Sequence, residues 1–205
     1  MISHKLLSCV IFQNNLDKLF VTTFSTTDSK YLFEPCNFIY SNDLVVNFDN
    51  VKSEFCKSLD KDNTLLCSVD TILYNKQNGR LILVEFKNGI IDKNQRRKLK
   101  NKIKDSILML NYFLSTNLGD SQNNFEFILV YNSLNNPPLP DEDIDIDYLD
   151  NPEYYDFAET VSEFAGEEHI RFNLGIYEDI FVKNVHTYNI DQFKKYYINF
   201  ISNEN

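Results

Sequence analysis

The sequence predicts an α/β domain, with a mixed central β-sheet flanked by helices and an acidic insert. Three patterns predict it. Residues 80–87 (RLILVEFK) are apolar on both faces, as a strand covered on both sides must be. Residues 92–116 keep an unbroken helical periodicity, and residues 125–132 (FEFILVYN) then form a second interior strand. At 205 residues the chain fits one domain and buries enough surface to fold without staples.

The elements follow in order. Residues 19–24 (LFVTTF) read as a strand, and 41–50 as a turn, a short strand and a second turn. Val51, Phe55 and Leu59 recur every four residues, which predicts a helix with Asp49 or Asn50 as N-cap. Glu54 lies about 60° round that helix from Val51, an edge position able to look into a cleft. Residues 66–74 and 80–87 read as strands joined through Asn78-Gly79. A two-residue turn would pair Gln77 with Arg80, placing Asp70 opposite Lys87 and Glu85 opposite Ile72. The odd sum of partners keeps all four on one face; an even sum would separate the two acids.

On the 92–116 helix, Leu99, Ile103, Ile107, Leu110 and Leu114 form the buried stripe. Residues 133–151 read as loop, 153–165 as a helix closed by Gly166, and 170–177 and 180–188 as strand-like pieces. A last helix, 190–202, takes Asn189 as N-cap and turns Phe193, Tyr196, Tyr197 and Phe200 inward. The organisation is therefore a core over about 50–132, an insert over about 133–168 and a C-terminal segment over 170–202.

Charge is unevenly spread. The formal net charge is −10, yet residues 105–170 contain no Lys or Arg and hold 15 of the 30 acidic residues. The rest carries 20 cations against 15 carboxylates, a mildly basic body beside an acidic insert. Several function classes find no support. There is no P-loop, Gly-rich nucleotide loop or Ser-His-Asp arrangement, and Cys9, Cys36, Cys56 and Cys67 lack CxxC pairing. They read as small buried residues of a reducing cytoplasm. His4, His169 and His186 are scattered and read as structural or exposed. No apolar run approaches the ~20 residues of a membrane span, and the N-terminus lacks a small-residue cleavage signal. A cytoplasmic protein with no membrane partner is the expectation.

The chemistry concentrates in residues 67–89. Asp70 sits on one strand, and Glu85 and Lys87 share a face of the next. Charges on an apolar strand cost several kcal/mol unless paired or bound to a cation. Asp70 and Glu85 could hold one Mg²⁺ (or Mn²⁺), which favours oxygen ligands and retains waters. The Phe86 carbonyl could assist, and Glu54 could add a direct or water-mediated ligand or serve a second ion. Lys87 would orient or deprotonate an attacking water, or stabilise the charge of the pentavalent state.

A helical Glu, a strand Asp and a following Glu-x-Lys (Glu54, Asp70, Glu85, Lys87) resemble the PD-(D/E)xK nuclease superfamily. The match covers about residues 50–132. The resemblance implies a restriction-endonuclease-like core and Mg²⁺-dependent cleavage of nucleic-acid strands. Asp70 matches the family Asp, Glu85 and Lys87 its Glu-x-Lys, and Glu54 its helical Glu. Val69 stands where the family carries proline, and Gln95 lacks the tyrosine of the Gln-xxx-Tyr variant, because Leu99 occupies that position.

Seven cations in residues 93–104 begin right after this site. Of these, Lys93, Arg96, Arg97, Lys100 and Lys104 are expected to contact phosphates, which adds affinity without reading sequence. The functional expectation is a metal-dependent nuclease acting on DNA in preference to RNA, in phage defence or a mobile element by analogy. The alternative is a non-catalytic subunit that binds nucleic acid or a basic protein, the latter through the acidic segment 141–168. A homodimer would suit cleavage of both duplex strands, although no residue pattern marks an interface.

Overall fold

The computed structural model describes residues 6, 8–25, 36–137 and 170–201. Their elements are α1 (Val10–Asn14), β1 (Leu16–Lys18), α2 (Leu19–Thr22), β2 (Phe24–Ser25), β3 (Cys36–Asn37), β4 (Leu44–Asn47), α3 (Phe48–Ser58), β5 (Thr71–Asn75), β6 (Arg80–Lys87), α4 (Lys93–Leu114), α5 (Leu118–Asn124), β7 (Phe125–Tyr131), β8 (Asn184–Asn189) and α6 (Ile190–Phe200). Six strands form one mixed sheet in the order β1-β4-β5-β6-β7-β8. The pairs from β1 to β6 are antiparallel, whereas β6, β7 and β8 run parallel. A parallel pair needs a crossover, and α4 with α5 supplies it between β6 and β7. The segment 184–189 is thus the sixth strand of the same sheet as the core.

Alternation along β6 assigns the two faces. Leu81 and Leu83 pack with Leu99, Ile103, Ile107 and Leu110 of α4, while Ile82, Val84 and Phe86 pack with Leu19, Phe38, Phe193 and Tyr197 on the other side. Every residue of the predicted α4 stripe is buried. The α4 start is fixed by Asp92, whose side chain accepts the Gln95 N–H, and its end by Ser115 in the left-handed region (φ 49°). Asn189 caps α6 reciprocally with Gln192, as predicted for the cap.

Five expectations are corrected. Residues 19–22 are a helical turn, not strand, and within 19–24 only Phe24 begins an extended pair, with β3. The short segment carries no period long enough to separate the two forms, and the Thr22 and Thr23 hydroxyls bond back to the carbonyls of Leu19 and Phe20. The α3 cap is Asn47, not Asp49 or Asn50, because its side chain reaches the Asn50 N–H. Residues 66–70 are not strand; β5 begins at Thr71. The hairpin closes through four residues: Asn75 pairs with Arg80, and the Asn75 side chain accepts the Gln77 and Asn78 N–H groups. Gly79 provides the positive φ of 74°. Partners therefore sum to 155, with Thr71 facing Val84 and Ile72 facing Leu83. The pairing ends at Thr71, and the Asp70 N–H bonds the Val84 carbonyl outside that register. Finally, 170–177 holds a 3₁₀ turn at Gly175–Tyr177 and no strand, and the strand expected over 180–188 is confined to Asn184–Asn189. The expected helix at 153–165 with Gly166, the acidic segment 141–168, the loop from 138 onward, His4 and His169 lie outside the described residues.

Candidate functional site

The C-terminal half of β6 carries the cluster. Glu85 faces α4 from the centre of the sheet and is completely buried. Asp70 precedes β5 and is locked on both sides: its N–H donates to the Val84 carbonyl (3.1 Å), and its own carbonyl accepts from Phe48, the first residue of α3 (3.1 Å). Its side-chain Oδ2 accepts the Phe86 N–H at 2.7 Å. The hairpin register differs from expectation by two residues, but its parity is unchanged. Glu85 and Lys87 therefore share the α4 face, and Asp70, just before β5, brings its carboxylate to the same side, where Lys102 of α4 meets it.

Lys87 Nζ lies 3.0 Å from Glu85 Oε1. A second ammonium enters from above: Lys102 of α4 donates to Glu85 Oε1 (2.6 Å) and Oε2 (2.8 Å) and to Asp70 Oδ1 (3.3 Å). Two carboxyl groups and two ammoniums thus close one cluster. Burial, with repulsion from Glu85, pushes the Asp70 carboxyl up to about 7 despite the two lysines. Burial acts on Glu85 in the same direction, but Lys102 and Lys87 overcome it and hold that carboxyl below its usual range. Lys102 is penalised by burial, yet Glu85 and Asp70 raise it well above an ordinary lysine.

Helix α4 also fastens the segment that delivers Asp70. Asp105 accepts the Cys67 N–H (2.9 Å) and Ser106 Oγ accepts the Val69 N–H (3.0 Å). Proline at position 69 has no N–H to give, so the valine there has a bonding role of its own. On α4, Lys102 lies three residues after Leu99 and four before Ser106, hence on the inward stripe.

Other predicted site residues are placed differently. Glu54 is exposed on α3 and has no hydrogen bond or ion pair to the cluster. The α3 acid that acts on Lys102 is Asp49, which also accepts the Ser68 hydroxyl. Five residues separate Asp49 from Glu54, about 140° of helix, so the two point in very different directions. Phe86 touches Asp70 through its amide N–H, while its ring packs on the opposite face against Phe38 and Phe193. Of the basic residues, Lys93, Arg97 and Lys104 are exposed, Arg96 and Lys100 half-buried, and Lys104 lies 5.9 Å from the centroid of the Tyr177 ring. The residue sequence reading misses is Lys102. Its cluster of cationic neighbours reads as a solvated face, and only its spacing from Leu99 and Ser106 marks it as inward.

A second polar group lies at the other end of the sheet. Buried Glu126 Oε1 receives Arg80 (2.7 Å), Asn78 (3.2 Å) and Asn184 (3.2 Å). This tie joins the hairpin turn to β7 and β8, and its partners are satisfied.

Two neighbouring hard oxygen donors suit Mg²⁺, which is bound through one or two carboxylates and keeps its waters. Asp70 and Glu85 already reach one common cationic atom, so their geometry fits such an ion. Among the described residues, however, no group of three or more His, Cys, Asp or Glu is arranged to hold a metal. None of the helices among the described residues is long and apolar enough to cross a membrane. No family model, curated protein or solved structure matches the chain.

Proposed function

We propose that this chain is a Mg²⁺- or Mn²⁺-dependent nuclease of the PD-(D/E)xK type that hydrolyses phosphodiester bonds, in DNA rather than RNA. The observation that carries the reading is the meeting of Asp70, just before β5, with Glu85 of β6, beside Lys87 on the buried central strand. The mixed sheet, with α4 crossing from β6 to parallel β7, supports the restriction-endonuclease-like core that this reading requires.

When bound, the cation would neutralise phosphoryl charge and acidify a water. Glu85, held ionised by its lysines, and Asp70, held by the Phe86 N–H, would be its protein ligands. Lys87 is one-fifth exposed, so its ammonium can reach from Glu85 toward substrate, where it orients the water or stabilises developing charge. Exposed Lys93, Arg97 and Lys104, with Arg96 and Lys100, would hold phosphates along α4.

Incubation of plasmid DNA and of RNA with Mg²⁺, Mn²⁺ or EDTA tests the reading. Cutting should need the metal and be lost in Glu85→Ala and Lys87→Ala. Cutting that persists in both variants, or in EDTA, refutes it. One observation favours a second reading. Lys102 already neutralises the acid pair, as a non-catalytic nucleic-acid-binding or assembly subunit would permit. Metal-independent nucleic-acid binding without cleavage at any metal concentration would select that reading. A cytoplasmic setting, a role in phage defence, a homodimer and a basic protein partner for 141–168 are further parts of the proposal, each resting on sequence or analogy.

A further inference from the structure

Lys102 occupies the centre of the acid pair. Its Nζ bonds both Glu85 oxygens, at 2.6 and 2.8 Å, and Asp70 Oδ1 at 3.3 Å, whereas the nearest carboxylate contact of Lys87 is to Glu85 alone. An ion bonded to one oxygen of each acid at about 2.1 Å falls within the volume this ammonium fills. Two cations cannot share that volume, since like charges so close repel strongly even in a well-screened site. We propose that the Lys102 ammonium and a divalent cation compete for the same place between Asp70 and Glu85, so that Lys102 sets the metal affinity of this chain and withdraws when metal enters. The inference rests on the nuclease reading, whose metal it concerns.

The structure provides for the withdrawal. The Lys102 side chain is one-fifth exposed, so its flexible stem has a route outward. Asp49, whose charge already acts on Lys102, has a side chain 54% exposed and offers the displaced ammonium another carboxylate. Lys87 can stay beside Glu85 throughout. The two lysines then divide the work, with Lys102 answering to the metal and Lys87 to substrate.

The test is Mn²⁺ binding by calorimetry to the full chain in three forms: wild type, Lys102→Gln and Lys102→Arg. Removing a charge-assisted bond of this kind should tighten Mn²⁺ binding in Lys102→Gln on the order of tenfold or more, while Lys102→Arg binds no tighter than wild type. A second measurement needs no variant. Acetic anhydride labelling of wild-type Lys102, read by mass spectrometry, should rise when Mn²⁺ is added, with labelling of exposed Lys104 unchanged as an internal reference. If Lys102→Gln does not fold, the labelling result decides alone. Equal affinities in wild type and Lys102→Gln, or unchanged Lys102 labelling at Mn²⁺ saturation, overturn the competition and leave the nuclease reading standing. Absence of Mn²⁺ binding in every form overturns both.

Discussion

Asp70→Asn isolates the tension in the acid pair. The amide keeps the shape of the carboxylate, can still accept the Phe86 N–H, and has an N–H to offer Glu85. What disappears is a charge that burial and Glu85 both oppose, to the point of raising the Asp70 carboxyl from 3.8 to about 7. Between those values the native state holds a proton that the unfolded chain has released, so stability falls as pH rises through that window and levels off above about 7. At 1.36 kcal/mol per pKa unit, the ionised group opposes folding by up to ~4 kcal/mol. Urea unfolding in EDTA at pH 5 and pH 8.5 reads the effect. The stability gained by Asp70→Asn over wild type should be larger at pH 8.5 by about 2–3 kcal/mol, because at pH 5 only part of the penalty has developed. Mn²⁺ should shrink that gain by stabilising the wild type alone. If Asp70→Asn is the less stable protein at pH 8.5, attraction to Lys102 outweighs burial at this position, and the raised carboxyl is refuted.

Three further outcomes follow from particular contacts. Glu54→Ala should leave stability within about 0.5 kcal/mol and cleavage unchanged, because Glu54 is exposed and apart from the cluster; loss of cleavage would restore it to the site. Arg96→Gln with Arg97→Gln should weaken DNA binding uniformly across sequences and lower the slope of log affinity against log salt by about two, read by fluorescence anisotropy. Arg171→Ala should destabilise by about 3 kcal/mol in chemical denaturation. That guanidinium is buried against the edge-to-face pair of Tyr131 and Phe172, 4.8 Å from each centroid, and donates to the Asn136 and Pro137 carbonyls. Arg171→Lys should recover little of the loss, since an ammonium lacks the planar fork that serves both carbonyls.

Long, strongly periodic segments were legible. The α4 stripe from Leu99 to Leu114 and the two-faced apolar strands β6 and β7 declare themselves through burial that residue type alone dictates. Short segments were not. Leu19–Thr22 spans only four residues, too few to distinguish a period of 2 from 3.6. Asn78-Gly79 signals a hairpin, but the Asn75 side chain draws two further N–H groups into the turn and moves the register by two. Because that shift is even, Ile72 keeps the face expected of it, while Asp70 falls outside the ladder and meets Glu85 through Lys102 instead.

The candidate site was legible along the chain and obscure across it. Glu85 and Lys87 lie on one strand, where alternation fixes their direction, and Asp70 stands one residue before the strand paired with it. Lys102 and Asp49 reach the cluster from helices, and their approach depends on how α4 and α3 seat against the sheet. For Asp49 the decisive contact is the Phe48 N–H bond to the Asp70 carbonyl, which sets the first turn of α3 beside the acid pair. Nothing in local sequence specifies that bond.

A crystal grown in saturating Mn²⁺ and measured for anomalous scattering goes straight to the proposed metal site. The expected peak is bonded to carboxylate oxygens of both Asp70 and Glu85 at about 2.0–2.2 Å, with Lys102 Nζ moved away. Density for Lys102 still spanning the two acids, with no anomalous peak between them, would contradict both the site and the exchange.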